Sequence, residues 1–148
     1  MIMTKNEDNL LFDQFVACVP PTCTKQSCRV VRLPSGRVRS YQPARVRKAE
    51  TTILSLFLPY APAEPYTGPL GVQVVLVYPW RKSESKKNQQ AGRKWKCTRP
   101  DLDNLAKLIL DAMAPRFFRD DAEVCSISSS KQWGSKPGIR FKIAKLHG

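Results

Sequence analysis

The sequence predicts an α/β (α+β) fold in a single domain, with a small mixed β-sheet flanked by helices. Three observations carry this expectation. Residues 72–78 are β-branched and almost continuously apolar, the pattern of a central strand buried on both faces. Two stretches, one opening at Pro43 and the other at Leu102, repeat apolar residues every three or four positions, as an amphipathic helix does. A chain of 148 residues can enclose one hydrophobic core without disulfide staples.

Residues 1–10 read as a polar, flexible N-terminal tail, which leaves a single domain over residues 11–148. Residues 12–19 form a short apolar run ended by Pro20 and Pro21, a strand entering a turn. In residues 28–42, Pro34-Ser35-Gly36 separates two short β-rich pieces and predicts a hairpin. It carries Arg29, Arg32, Arg37 and Arg39 and is closed by Tyr41. Pro43 suits a first helical position, and Val46, Ala49, Ile53, Leu56 and Phe57 follow on one stripe, with the helix stopping before Pro59. Residues 60–68 read as a loop. Leu102, Leu105, Ile109, Ala112 and Met113 mark the second helix, which Pro115 ends. Residues 124–130 are a further strand candidate, and residues 139–143 alternate Ile139, Phe141 and Ile143 inward with Arg140 and Lys142 outward.

Charge narrows the class of partner. With 25 Lys and Arg against 12 Asp and Glu, the formal net charge is +13. That favours an extended anion, and nucleic acid ranks ahead of a membrane because no basic amphipathic membrane helix is present. No apolar run approaches the roughly 18 residues of a membrane span. The acid-bearing N-terminus is not followed by the apolar core of a signal peptide. Cys18, Cys23 and Cys28 recur every five residues, but zinc sites use closer pairs with further Cys or His partners, and His147 is the single histidine. Unpaired cysteine spacing agrees with an intracellular, cytoplasmic location.

Residues 81–99 concentrate the positive charge. Arg81, Lys82, Lys86, Lys87, Arg93, Lys94, Lys96 and Arg99 face one acid, Glu84. Standing directly before an acidic motif, this basic segment reads as a mobile phosphate-binding loop that orders on DNA rather than as a merely solvated one.

The acidic motif is Arg99-Pro100-Asp101-Leu102-Asp103-Asn104-Leu105-Ala106-Lys107, followed by Asp120-Asp121. Clustered carboxylates are unfavourable unless a cation neutralises them. Asp103, Lys107 and Asp111 share one helical face, apart from the apolar stripe. Asp101 as an N-cap and Asp103–Lys107 as a surface ion pair would account for part of the pattern, at about 1 kcal/mol each. Two acids one residue apart do not both cap efficiently, yet both can reach one hard cation. A lysine one turn above them lies near any phosphate held by that cation.

The stretch RPDLDNLAKLILDAM followed by RDDAEV resembles the signature of the RusA family of Holliday-junction resolvases, endonucleases common in phages and prophages. The pattern is Asp-x-Asp-Asn, then Lys, then Asp-Ala before an Asp-Asp pair, with a lysine ten residues past the second acid. That lysine corresponds to Lys131, followed by Gln132-Trp133-Gly134. The close similarity covers residues 99–143, and Val19-Pro20-Pro21-Thr22 is loosely similar to the family's first-strand entry. Ala114-Pro115-Arg116 replaces a frequent Asn-Gly turn, and Glu123 stands where Gln is common.

The resemblance implies catalytic and Mg²⁺-binding carboxylates at Asp101, Asp103 and Asp121, with Mn²⁺ a possible substitute, and a catalytic lysine at Lys107. Asp111 and Asp120 are supporting candidates. The DNA-contact candidates are the basic residues of 81–99 and Lys131. The implied function is resolution of four-way junctions by paired symmetric nicks leaving 5′-phosphates, carried out by a homodimer encoded by a phage or prophage. Two alternatives compete: a nuclease acting on flaps or other branched DNA, and a non-catalytic DNA-binding module.

Overall fold

The computed structural model describes residues 9–24, 29–41 and 43–148. In chain order the elements are β1 (Leu10–Ala17), β2 (Arg29–Arg32), β3 (Val38–Tyr41), α1 (Ala44–Phe57), β4 (Leu70–Pro79), α2 (Lys86–Gln90), β5 (Arg93–Trp95), α3 (Leu102–Met113), β6 (Val124–Gly134) and β7 (Gly138–Lys145). The main sheet has the order β1-β7-β4-β6-β5, and β2-β3 form a separate two-stranded sheet. β4 runs parallel to β6, with α3 in the crossover between them, and the other neighbours are antiparallel. The mixed α+β class is therefore as the sequence reads. The expected tail gives way to β1 at Leu10; residues 1–8 and Cys28 lie outside the described residues.

β4 is central, as expected, but it is not buried on both faces. Leu70, Val72, Val74, Leu76 and Tyr78 are buried, while Gln73, Val75 and Val77 between them are only partly covered. The reason is the placement of the helices. Val46, Ile53 and Phe57 of α1 and Leu105, Leu108, Ile109 and Met113 of α3 join the first set of β4 side chains in one core cluster. Both helices thus cover the same face of the sheet. Val75 and Val77 make the run look two-sided in sequence, although they face the side that α1 and α3 leave uncovered.

Ile139, Phe141 and Ile143 of β7 enter the core and Arg140 faces out, following the alternation. Phe12 brings β1 into the same core, its ring centroid 5.1 Å from that of Phe117 and 6.2 Å from that of Phe141. The hairpin turn forms at the expected place. Gly36 has φ +82°, which only glycine adopts cheaply, and its N–H donates to Leu33 O at 2.9 Å.

Two features escaped the sequence reading. Residues 81–99 are more than a loop: Ser85 Oγ accepts from Asn88 N to cap α2, and β5 pairs with the edge of β6. Beyond α3, Phe117 and Phe118 are fully buried, and Tyr66 N donates to Phe117 O at 2.8 Å. These anchors turn the chain back to a 3₁₀ turn at Asp121–Glu123 and then into β6. A lone apolar pair has no periodicity to announce it.

Two predictions concern the β1–β7 seam. A Cβ on Gly138 would run into the Phe15 ring and come within 2.5 Å of Val16 O. Gly138→Ala is expected to destabilise the fold by about 1–3 kcal/mol in urea unfolding. Across the same seam the Arg140 guanidinium donates to both carboxylate oxygens of Asp13, at 3.0 and 2.9 Å. That hydrogen bonding, reinforced by Lys142, holds the Asp13 carboxyl below its usual pKa. A depressed folded-state pKa means the contribution is fully present above the unfolded value near 3.9 and is lost as pH falls through the folded value. Because the pair is partly exposed, Asp13→Asn is expected to cost less than about 1 kcal/mol at neutral pH. Urea titrations at pH 7 and near pH 3 should show the difference from wild type shrinking in acid.

Candidate active site on helix α3

α3 owes its position to its apolar stripe. Leu105, Leu108, Ile109, Ala112 and Met113 are buried, and this leaves Asp103 and Lys107 exposed on the opposite side. Asp101 occupies the N-cap position with extended backbone (φ −67°, ψ 138°), and its carbonyl accepts from Leu105 N at 3.1 Å. Its side chain makes no capping bond, so the capping explanation does not account for that carboxylate. Asp103 lies in the first turn, where the helix dipole favours an acid.

Lys107 is the hub of the site. Its Nζ donates to Asp111 Oδ1 at 3.1 Å and to Asp121 Oδ2 at 2.6 Å. Its ion-pair partners are these two rather than Asp103. The hydrogen bond from Lys107 comes first among the causes that hold the Asp121 carboxyl below its usual range. In return Asp121, then Asp111, push the lysine above its usual pKa, so it carries its charge throughout the neutral range. Asp120 faces its own backbone, its Oδ1 accepting from Ala122 N at 3.0 Å and capping the 3₁₀ turn. That separates the roles of the two adjacent acids.

The carboxylate types at Asp101, Asp103 and Asp121 suit a hard divalent cation that prefers oxygen ligands. Among the described residues, no group of three or more carboxylate, cysteine or histidine side chains is gathered as a ready-made metal cage. The structure brings Asp121 and Asp111 together on Lys107, and it places Asp101 and Asp103 at the start of the same helix.

The segment leading into Asp101 is gripped from behind. Lys96, only 6% exposed, donates to Thr98 O, Thr98 Oγ1 and Arg99 O at 3.3, 2.7 and 2.6 Å. Its ammonium also lies 5.0 Å from the Tyr78 ring centroid and 4.6 Å from that of Trp133. Lys131 donates to Thr98 O at 2.7 Å and Pro100 O at 2.5 Å. Arg81 reaches Thr98 Oγ1 and stacks 4.8 Å over Trp133. Desolvation first, then the nearby Lys131 and Arg81 charges, push the Lys96 pKa below that of an ordinary lysine.

These contacts set two of the DNA-contact candidates, Lys96 and Lys131, apart from the rest. Lys96 is buried and its three ammonium protons are engaged, so it serves the loop. Lys131 is drawn into the same role. Arg93 stacks on exposed Trp95, and Lys94 pairs with Glu84 at 3.3 Å. Lys82, Lys86, Lys87 and Arg99 remain exposed to solvent. The Tyr78–Trp133 aromatic floor escaped the sequence reading because its two members come from different strands, although Trp133 adjoins the lysine motif.

Residues 19–144 match the family model described as endodeoxyribonuclease RusA. The class is thus that of DNA endonucleases acting at branched junctions. The chain belongs to the RusA family. It is also similar to a Bacillus subtilis (strain 168) protein named "Uncharacterized protein YqaN", 26% identical over 117 residues that cover 76% of this chain and 82% of that one. Among the described residues, no helix is long and apolar enough to cross a membrane.

Burial separates two kinds of lysine. Lys87→Ala is expected to flatten the dependence of log K on log salt for DNA binding, by up to about one unit if that side chain neutralises one phosphate. Lys96→Met should leave that slope unchanged while costing about 1–3 kcal/mol of stability, because it strands carbonyl acceptors. Fluorescence anisotropy across a salt series and urea unfolding check the two halves.

Proposed function

We propose that this protein is a Mg²⁺-dependent endonuclease that resolves four-way DNA junctions by paired symmetric nicks. The observation that supports this reading is the contact of Lys107 with Asp121, 2.6 Å apart, within a chain that belongs to the RusA family. In this reading Asp101, Asp103 and Asp121 hold the cation, which when bound activates water and stabilises charge on the phosphoryl oxygens. Lys107 stays protonated and offers its ammonium to the scissile phosphate. Its raised pKa suits electrostatic stabilisation and rules it out as a neutral base near pH 7. Asp111 orients that lysine. Exposed Lys82, Lys86 and Lys87 supply phosphate contacts at a distance from the cut. A four-way junction has approximate two-fold symmetry, so paired nicks call for two sites related by a two-fold axis, as in a C₂ homodimer.

The test is cleavage of a labelled mobile junction with and without Mg²⁺ by wild type, Asp103→Asn and Lys107→Ala. Wild type should nick symmetrically only with the cation. Both variants should lose at least about 100-fold in rate while still binding the junction. Wild type that binds and never cuts overturns the enzyme reading; equal cutting of flaps or plain duplex overturns junction selectivity. Sedimentation at working concentration checks the dimer.

A further inference from the structure

The start of α1 meets the segment leading into α3 at a polar recess of about 260 Å³, lined in part by Thr22, Thr24, Arg45, Arg99 and Asp101. That volume holds several waters, at about 30 Å³ each, or one partly hydrated phosphodiester group. Two independent features point to an anion. Arg45 and Arg99 come from distant parts of the chain, and the planar guanidinium fork matches phosphate oxygens. Among the described residues, no side chain caps the first turn of the 14-residue helix α1 and no acid lies in it. The Val46 and Arg47 N–H groups donate to Pro43 O at 3.0 and 3.3 Å, so what this end of α1 adds beside Arg45 is the positive end of the helix dipole.

One wall opposes this. The Asp101 carboxylate repels a bare phosphate. In the nuclease reading, a divalent cation that Asp101 would help to hold would offset that repulsion.

We propose that this recess is a phosphodiester-binding subsite in which Arg45 grips the DNA backbone beside Asp101. The proposal rests on the nuclease reading and adds to it a residue from α1, far from the acidic motif in sequence. In the sequence Arg45 is one basic residue beside the apolar stripe of α1, with no motif to mark it. Arg47 makes a matched comparison: it carries the same charge on the same helix, is exposed, and lies about 200° round the axis.

The experiment measures junction binding by anisotropy across a salt series, in Ca²⁺ to hold the complex uncut and again in EDTA. Wild type, Arg45→Ala and Arg47→Ala are compared, and single-turnover cleavage in Mg²⁺ is followed in parallel. Arg45→Ala should flatten the salt slope by about one unit in Ca²⁺ and by less in EDTA. It should also lower the cleavage rate at saturating DNA at least tenfold, with Arg47→Ala behaving as wild type in both assays. If the two variants weaken binding equally, only bulk charge is involved and the proposal fails. If Arg45→Ala matches wild type, it fails as well. If wild type cuts no branched DNA, the nuclease reading falls, while the Ca²⁺ slopes still decide whether Arg45 holds a phosphate.

Discussion

Burial of one stripe of α3 against the sheet sets the rotation of that helix, and the rotation decides where its charges stand. Leu105, Ile109 and Ala112 are locked into a core shared with β4, β7 and α1. Each buried leucine or isoleucine contributes about 1.5–3 kcal/mol relative to exposure. Turning the helix to hide Asp103 or Lys107 would forfeit several such side chains and desolvate charge as well. The hydrophobic contact therefore orients the polar face.

The crossover completes what α3 begins. Because β6 lies parallel to β4, the chain must come back along α3 before entering β6, and Phe117 and Phe118 bury themselves on the way. That return delivers Asp121 to Lys107 across 14 residues of sequence. The ion pair is partly exposed, with side-chain exposures of 54% and 37%, so it adds little to stability. Its consequence is positional: an ammonium held at a defined point beside two carboxylates.

Positive charge is used in two different ways in this chain. Lys82, Lys86 and Lys87 face solvent, where their charge adds to the long-range positive field of the protein. Lys96 and Lys131 turn inward and satisfy the carbonyl oxygens of residues 98–100, with Tyr78 and Trp133 beneath Lys96. Carbonyls without such donors would be free to rotate, and Asp101 follows directly after them. Rigidity just before the carboxylate and charge on the outer rim are thus supplied by residues of the same type, separated by burial alone.

Wherever the information was periodic or chemical, the sequence by itself determined the outcome. The 3.6-residue repeats placed α1 and α3, alternation placed β7, Pro34-Ser35-Gly36 placed the hairpin turn, and the Asp-x-Asp-Asn and Asp-Asp spacing identified the family. Tertiary structure alone decided which face of the sheet the helices cover, which is why Val75 and Val77 misled. It alone assigned Lys107 to Asp111 and Asp121 rather than to Asp103, turned Lys96 and Lys131 away from solvent, and set Arg45 beside Asp101. The physical reason is common to all four. Local patterns report a residue's own backbone and its near neighbours along the chain, whereas burial and long-range pairing depend on what the other elements bring up against it.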